Sequence, residues 1–325
     1  MIQAGGESPQ VATIRKQADK LEVALRERGI DASLFVAMRY WRPLAEDAVA
    51  EMTQQNVTRL VIIPLYPHFS ISTSGSALRV LERMLYTTPG FPMKSTVVPS
   101  WFNRPTYVRA SARMIEQSLQ TLPDADRASA HIVYSAQGLP RKYVEFLGDP
   151  YQGQVERGVA LLAEELGRRG IENDYSLSYQ GQIGPEAVPW TEPSTTDTIE
   201  KLGREGTRTL LLVPVSFVFE HMGTLNEMDR ELADVATRVR AARAGHPCDK
   251  STPVAVQPCL ECTIRPVQAG IRDFVRVPTL GTDDEFIDTL ASVVQEALPD
   301  LNQPSMQIIN QGEPVSRGFA VASRS

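Results

Sequence analysis

The chain has 325 residues, with 33 Lys plus Arg against 39 Asp plus Glu and a formal net charge of −6. That length fits about two domains, the mild acidity argues against bulk attraction to nucleic acid or anionic membrane, and 42% hydrophobic with 22% charged residues argues against disorder. No apolar run approaches the roughly 18 residues of a membrane span, the opening Met1-Ile2-Gln3-Ala4-Gly5-Gly6 lacks the features of a secretory signal, and three cysteines are too few for a disulfide framework, so a reducing compartment is expected.

Ser8-Pro9 predicts a helix start, with Val11, Ile14, Ala18, Leu21 and Leu25 at helical spacing and Gly29 as the stop. A strand is expected over 32–38 and a helix over 44–54. The continuous apolar run 59–66 reads as a strand buried on both faces, as in a parallel sheet. Helices over 76–86 and 107–122 and a strand over 95–98 follow. The second half restarts with a strand at 130–135, a helix at 152–169 ending at Gly170, a strand at 174–179 and a helix at 196–205. The run 207–217 is a second buried strand, a helix begins near His221, and a last one covers 283–297. Strands alternating with helices indicate βαβ units and open parallel sheets. Residues 239–270 have loop composition, and 303–325 are polar without a helix face.

A weak internal repeat runs through this pattern. Arg28-Gly29-Ile30-Asp31 recurs as Arg169-Gly170-Ile171-Glu172, 141 residues later, and Ile63-Pro64-Leu65 recurs as Val213-Pro214-Val215, 150 residues later. Chance similarity between βα units is the alternative to duplication. Under duplication the strand at 130–135 has a counterpart that would precede Met1, so the first half is expected to be one strand short.

His68 follows the first buried strand, where open α/β sheets bind ligands. The hydroxyl-rich turn Ser70, Ser72, Thr73, Ser74, Gly75, Ser76 either binds an anion or simply caps a helix. His221 follows the second buried strand. On a helix, Gly223, Glu227 and Glu231 fall at i, i+4 and i+8 on one face, placed to relay protons or hold a hydrated cation, or else on a solvated surface. Cys259-Leu260-Glu261-Cys262 with Cys248 and His246 is either a weak metal motif or a set of free thiols.

At these motifs the sequence resembles the ferrochelatase family, most closely its cyanobacterial and plastid members. The resemblance is carried by Gly5-Gly6-Glu7-Ser8-Pro9, Ala37-Met38-Arg39-Tyr40-Trp41-x-Pro43, Pro64-Leu65-Tyr66-Pro67-His68-Phe69-Ser70 and Gly148-Asp149-Pro150-Tyr151. Glu220-His221-Met222-Gly223-Thr224-Leu225-Asn226-Glu227 and Arg276-Val277-Pro278-Thr279-Leu280 extend it. It implies an α/β chelatase fold of two Rossmann-like lobes, 1–125 and 126–300, with an insertion at 239–270, while the polar composition of the end gives the expectation of a mobile tail at 301–325. It further implies insertion of Fe²⁺ into protoporphyrin IX, bound in the cleft between the lobes, to form haem.

The resemblance assigns porphyrin contacts to Tyr66, His68, Ser70, Thr73, Trp101, Asp149, Tyr151 and Trp190. Catalytic positions fall at Gln137, His221, Gly223, Glu227 and Glu231, of which His221, Glu227 and Glu231 form the metal path. No cofactor is required beyond the Fe²⁺ substrate, with zinc or an iron–sulfur group at Cys248, Cys259 and Cys262 as a separate possibility. Expected partners are the tetrapyrrole and Fe²⁺, without nucleic acid or a transmembrane segment but with peripheral membrane association open. The expected state is a monomer or homodimer in the cytoplasm, or in a plastid if eukaryotic. The sequence departs from the family where Ser-Ala-His reads Ser135-Ala136-Gln137 and where the Glu of His-Ile-Glu-Thr reads Gly223. Gln-Ser-x-Val-Gly-Pro reads Gln180-Gly181-Gln182-Ile183-Gly184-Pro185, and the family's opening Asn-x-Gly-x-Pro strand has no counterpart in the chain. A weak or inactive homologue that binds tetrapyrrole or a partner protein is the alternative.

Overall fold

A computed structural model describes residues 9–87, 94–182, 188–242 and 270–302. The first half runs α1 (Gln10–Glu27), α2 (Ala45–Gln54), β1 (Arg59–Ile62), α3 (Ser74–Thr87), β2 (Lys94–Val97), α4 (Pro105–Gln120) and the single turn α5 (Asp124–Arg127). The second half runs β3 (His131–Gln137), the short α6 (Arg141–Glu145), α7 (Tyr151–Arg168), β4 (Tyr175–Gln180), α8 (Thr195–Glu205) and β5 (Thr209–Pro214). A π-helix (Gly223–Leu232), α9 (Ala233–Ala242), β6 (Asp273–Arg276), α10 (Asp284–Ala297) and a 3₁₀ turn (Leu298–Asn302) complete it. The strands form two parallel sheets, a pair β1-β2 and a four-stranded sheet in the order β4-β3-β5-β6.

The two halves repeat in local detail. Gly29 and Gly170 both take positive φ, +74° and +76°, after α1 and α7. In each case the next amide reaches back to close the helix, Ile30 N–H to Leu25 O and Ile171 N–H to Leu166 O, both at 2.9 Å. Met38 N–H donates to Pro43 O at 2.8 Å, and Tyr179 N–H donates to Pro193 O at 2.9 Å. Both prolines follow cis peptides.

The halves differ at the centre of the sheet. In the second half β3 lies between β4 and β5 and bonds to both. In the first half no strand lies between 32–38 and β1 among the described residues. Segment 32–38 therefore forms no ladder and makes only a bridge from Met38 to Leu44, which corrects the expectation of a strand there. The 59–66 run is likewise shorter and less covered than expected. Only Arg59–Ile62 is strand and none of its residues is fully buried, whereas every residue of the corresponding β5 is. Among the described residues neither segment has a strand partner on the edge between them, and a strand is defined by its partners.

The main core gathers Trp101, Ile115, Tyr134, Val155 and Phe286, all fully buried. Helix α10 packs on α1 and α4, so packing crosses the 125/126 division. Exposed pairs such as Lys20–Asp284 hold this joint only weakly, because solvent screens them. Buried bonds count for more. Gln17 Nε2 donates to Gly281 O at 2.6 Å and to Val218 O at 3.3 Å. Asp149, 4% exposed, accepts from Ser70 Oγ (2.8 Å), Ile71 N–H (2.9 Å) and Tyr151 N–H (3.1 Å).

Asp149→Ala leaves three donors, two of them buried, without their acceptor, and Asp149→Asn retains an oxygen. The alanine variant is expected to lose about 3 kcal/mol of stability and the asparagine variant less. Urea unfolding with an unchanged slope measures both. Equal stability of Asp149→Ala and wild type would show that this joint does not hold the halves together.

Candidate active site

The carboxyl ends of β3, β4 and β5 converge. Gln137 ends β3, Gln180 ends β4, and Ser216 lies just past β5. Ser135 Oγ donates to Gln180 Oε1 at 2.8 Å, which fixes that amide's orientation. Gln180 Nε2 is then free to donate to Glu227 Oε2 at 3.3 Å, and Gly181 N–H donates to Glu227 Oε1 at 2.6 Å. Gln137 Nε2 donates to Gly181 O at 3.3 Å. Gly181 has φ +70°, and a Cβ there would overlap the Gln137 amide. Gln137 thus occupies space that only glycine leaves open.

The helix carrying the carboxylates is a π-helix, not the α-helix expected from the i, i+4 spacing. Its i→i+5 winding brings Asn226 Nδ2 within 2.6 Å of Glu231 Oε1. Glu227 is half-buried and Glu231 exposed, so the carboxylates run from the strand ends to solvent. Met228 and Leu232 are core as expected, while Leu225 is only partly buried.

His221 packs edge-on to Phe217, with ring centroids 4.4 Å apart. Its Nδ1 accepts Gly223 N–H at 2.9 Å. A Cβ on residue 223 would stand 2.6 Å from His221 Cε1, so the imidazole occupies the space beside the glycine. Burial lowers the His221 pKa to about 4, leaving the ring neutral near pH 7. With Nδ1 engaged as an acceptor, the ring hydrogen is assigned to Nε2. Burial acts in the opposite sense on Glu227. It raises that carboxyl above the ordinary range, and the Glu231 charge adds to the rise against the Gly181 and Gln180 hydrogen bonds.

His221, Glu227 and Glu231 do not form a shared ligand set. Each is held by a different neighbour, Gly223, Gly181 and Asn226 respectively. Among the described residues no three His, Cys, Asp or Glu side chains gather as a metal-holding group. Cys248, Cys259 and Cys262 lie outside the described residues, as do residues 1–8 and 303–325.

The expected porphyrin contacts divide into two groups. Trp101 is fully buried, with Nε1 donating to Pro64 O at 3.0 Å and its ring against Tyr107 and Phe286. It is a core residue with no face for a ligand, which corrects its assignment. His68 is buried against Phe102 and Tyr151, and burial lowers its pKa to about 3. Ser70 and Asp149 bond to each other across the joint. Asp149 also accepts Ile71 N–H, and Ser70 O accepts from Thr73 and Gly75 amides. The anion expected at the hydroxyl-rich turn is therefore the chain's own carboxylate.

Tyr151 OH meets Ser216 Oγ at 2.7 Å, and Ser216 Oγ accepts Gln137 N–H at 3.3 Å. Tyr151 thus reaches the Gln137 corner, but from within the core. Tyr66, Thr73 and Trp190 keep accessible surface. Sequence reasoning did not single out Gln180, Gly181 or Ser216 as working residues. The signal for Gly181 was its replacement of the family serine.

The ferrochelatase family model matches residues 1–256. The chain is 40% identical to the ferrochelatase of a Synechocystis strain over 297 residues, 91% of this chain and 67% of that protein. It is 39% identical to the ferrochelatase of Rippkaea orientalis, covering 96% of this chain and 71% of the relative. Identity to the chloroplastic ferrochelatase-2 of Oryza sativa subsp. japonica is 38%, over 96% of this chain and 53% of that one. Among solved structures, SirB from Bacillus subtilis with Fe³⁺ superposes with a TM-score of 0.56 at 13% identity, covering 90% of this chain and 93% of the other. That likeness supports the chelatase fold alone, whereas the sequence matches, read with the carboxylate-lined strand ends, establish that this chain belongs to the ferrochelatase family.

Proposed function

We propose that the chain inserts Fe²⁺ into protoporphyrin IX, with Glu227 as the first proton acceptor. The reaction replaces two pyrrole N–H protons by one Fe²⁺ and releases 2 H⁺, so the site needs an acceptor near the ring centre and an exit for charge. Gln137 and Gly223 cannot accept a proton. His221 offers a protonated Nε2 and an engaged Nδ1. The observation carrying the assignment is that Glu227 is held at 2.6 Å from Gly181 N–H beside Gln137 and Gln180, with its carboxyl pKa raised by burial. A raised pKa makes a carboxylate a better base near neutral pH. Glu231, exposed on the same π-helix, passes protons outward and admits Fe²⁺ along the same route.

The accessible Tyr66, Thr73 and Trp190 supply the porphyrin side, while His68, Ser70, Asp149 and Tyr151 hold the two halves in register behind it. No cofactor is needed beyond the Fe²⁺ substrate. Among the described residues no helix is long and apolar enough to cross a membrane. We place the activity in the cytoplasm, or in a plastid in a eukaryotic source, with peripheral membrane contact during porphyrin transfer. A second reading, a tetrapyrrole-binding homologue without turnover, is favoured by the simultaneous absence of an acceptor at 137 and 223.

An anaerobic absorbance assay with Fe²⁺ or Zn²⁺ and protoporphyrin tests the proposal. Glu227→Gln is expected to lower kcat by about 10²–10⁴ with little change in KM. In the wild type, kcat rises with pH through an apparent pKa above the usual carboxylate range, and the glutamine variant lacks that limb. Glu231→Gln moves the limb to lower pH, because the Glu231 charge helps raise the Glu227 pKa. Unchanged turnover in Glu227→Gln refutes the assignment, and absent turnover in the wild type with porphyrin quenching intact supports the second reading.

A further test restores the family residues. Gly223→Glu displaces the His221 ring and frees Nδ1, and Gln137→His adds an imidazole at the strand end. The double variant is expected to exceed wild-type kcat by at least about tenfold. A double variant no faster than wild type, with normal porphyrin quenching, would show that these two positions do not limit the rate.

A further inference from the structure

Three hydroxyls stand in line behind the Gln180 amide, in the interior of the second half. Ser135 Oγ lies 2.8 Å from Gln180 Oε1 and 2.9 Å from Thr195 Oγ1, and Thr195 Oγ1 lies 3.0 Å from Ser178 Oγ. Ser135 and Ser178 are partners across the β3–β4 ladder, and Thr195 opens α8. All three, and Gln180 itself, are buried. Other buried hydroxyls bond back to a carbonyl four residues earlier in their helix, as Ser118 does to Met114 O and Thr198 to Ser194 O, both at 2.8 Å. Thr195 is bonded to the two serines instead. Capping of α8 falls to Ser194, whose Oγ accepts Asp197 N–H at 3.0 Å.

The hydrogens of this line can be counted. Each hydroxyl has one to give. With Gln180 Nε2 turned to Glu227 Oε2 at 3.3 Å, Gln180 Oε1 takes the hydrogen of Ser135. Ser135 Oγ then accepts from Thr195, and Thr195 Oγ1 accepts from Ser178. Donation therefore runs one way, from Ser178 through Thr195, Ser135 and Gln180 to Glu227. Turning the amide over would set Oε1 against the Glu227 carboxylate, acceptor to acceptor. Removing the Ser135 hydroxyl would leave Oε1 buried without a donor. The other hold on Glu227 is Gly181 N–H, 2.6 Å from Oε1. Both holds come from the end of β4, which the hydroxyl line ties to β3 and α8.

We propose that Ser135, Thr195 and Ser178 are positioning residues for metal insertion: they hold the Gln180 amide in the orientation that keeps the Glu227 carboxylate at the strand ends. The three lie behind Gln180 and act through it. The proposal rests on the reading of Glu227 as proton acceptor, and one of its two measurements is scored without turnover.

A double-mutant cycle in the anaerobic assay with Zn²⁺ and protoporphyrin tests it. Ser135→Ala is expected to lower kcat about tenfold with KM within about twofold of wild type, and Gln180→Ala to lower kcat at least as much. Because Ser135 acts through Gln180, the double variant is expected to be no slower than Gln180→Ala. Thr195→Val is expected to lower kcat in the same way, and Thr195→Ser, which keeps the hydroxyl, to restore it. Unchanged kcat in Ser135→Ala overturns the proposal. So do two losses that multiply in the double variant, the result a merely structural serine would give. The second measurement is hydrogen exchange of the Gln180 side-chain amide, followed by NMR and identified by its absence in Gln180→Ala. It is expected to quicken at least about tenfold in Ser135→Ala, and an unchanged rate overturns the proposal whether or not Glu227 is the acceptor. Quickened exchange together with unchanged kcat in Glu227→Gln would sink the acceptor reading and leave Ser135 as the residue that orients Gln180. Thr195→Val carries both measurements if Ser135→Ala does not fold.

Discussion

β3 is bonded on both edges, to β4 and to β5, and most of the second half is arranged around that fact. The double ladder buries a seven-residue strand whose last residue, Gln137, opens onto the site. It aligns the end of β4 so that Ser135 fixes the Gln180 amide and Gly181 N–H meets Glu227. It places Ser216, after β5, between Gln137 N–H and the Tyr151 hydroxyl. Among the described residues of the first half, β1 pairs with β2 alone. There the same kind of sequence yields a short two-stranded pair and an unpaired extended segment.

The electrostatics of the site follow from burial acting with opposite sign on two kinds of group. Loss of water lowers a histidine pKa and raises a carboxyl pKa. His221 and Glu227 lie six residues apart, and burial lowers the pKa of the first to about 4 and raises that of the second above its ordinary value. Positions 137 and 223 lack acid–base groups, and each fits closely against a neighbour. Gly181 makes room for Gln137, and Gly223 makes room for the folded-back ring of His221. The four positions behave as two fitted pairs.

Much of this was legible in the sequence. Apolar spacing with glycine stops gave α1 and α7, and the repeat they belong to is visible in their matching glycine ends. The 32–38 segment was misread because a β-rich sequence states a preference, and pairing depends on a neighbour far away in the chain. The π-helix was misread because Gly223, Glu227 and Glu231 fall at a spacing that α and π windings both place near one face. Asp149 was recognised as part of a motif, but its task was hidden. The Ser70 hydroxyl and Ile71 amide it accepts from lie 79 and 78 residues away, and only folding brings the carboxylate to them. Trp101 was misplaced for a related reason, since an aromatic near a ligand motif looks the same whether it faces a cleft or a core.

The π-helix also sets a phase. Each turn of i→i+5 winding uses more residues than an α turn, so residues after it are rotated relative to those before it. Asp229 pairs with Arg276, which also holds Glu220 at the entrance to the helix. This clamps the segment on one side while Gly181 grips Glu227 on the other. Between these two anchors the number of residues is fixed by geometry as firmly as their identity. Loss of one residue within 223–232 would tighten the winding and turn a carboxylate away from the strand ends, even with every side chain of the motif still present. In this stretch length itself is under constraint, alongside the identity of the carboxylates it carries.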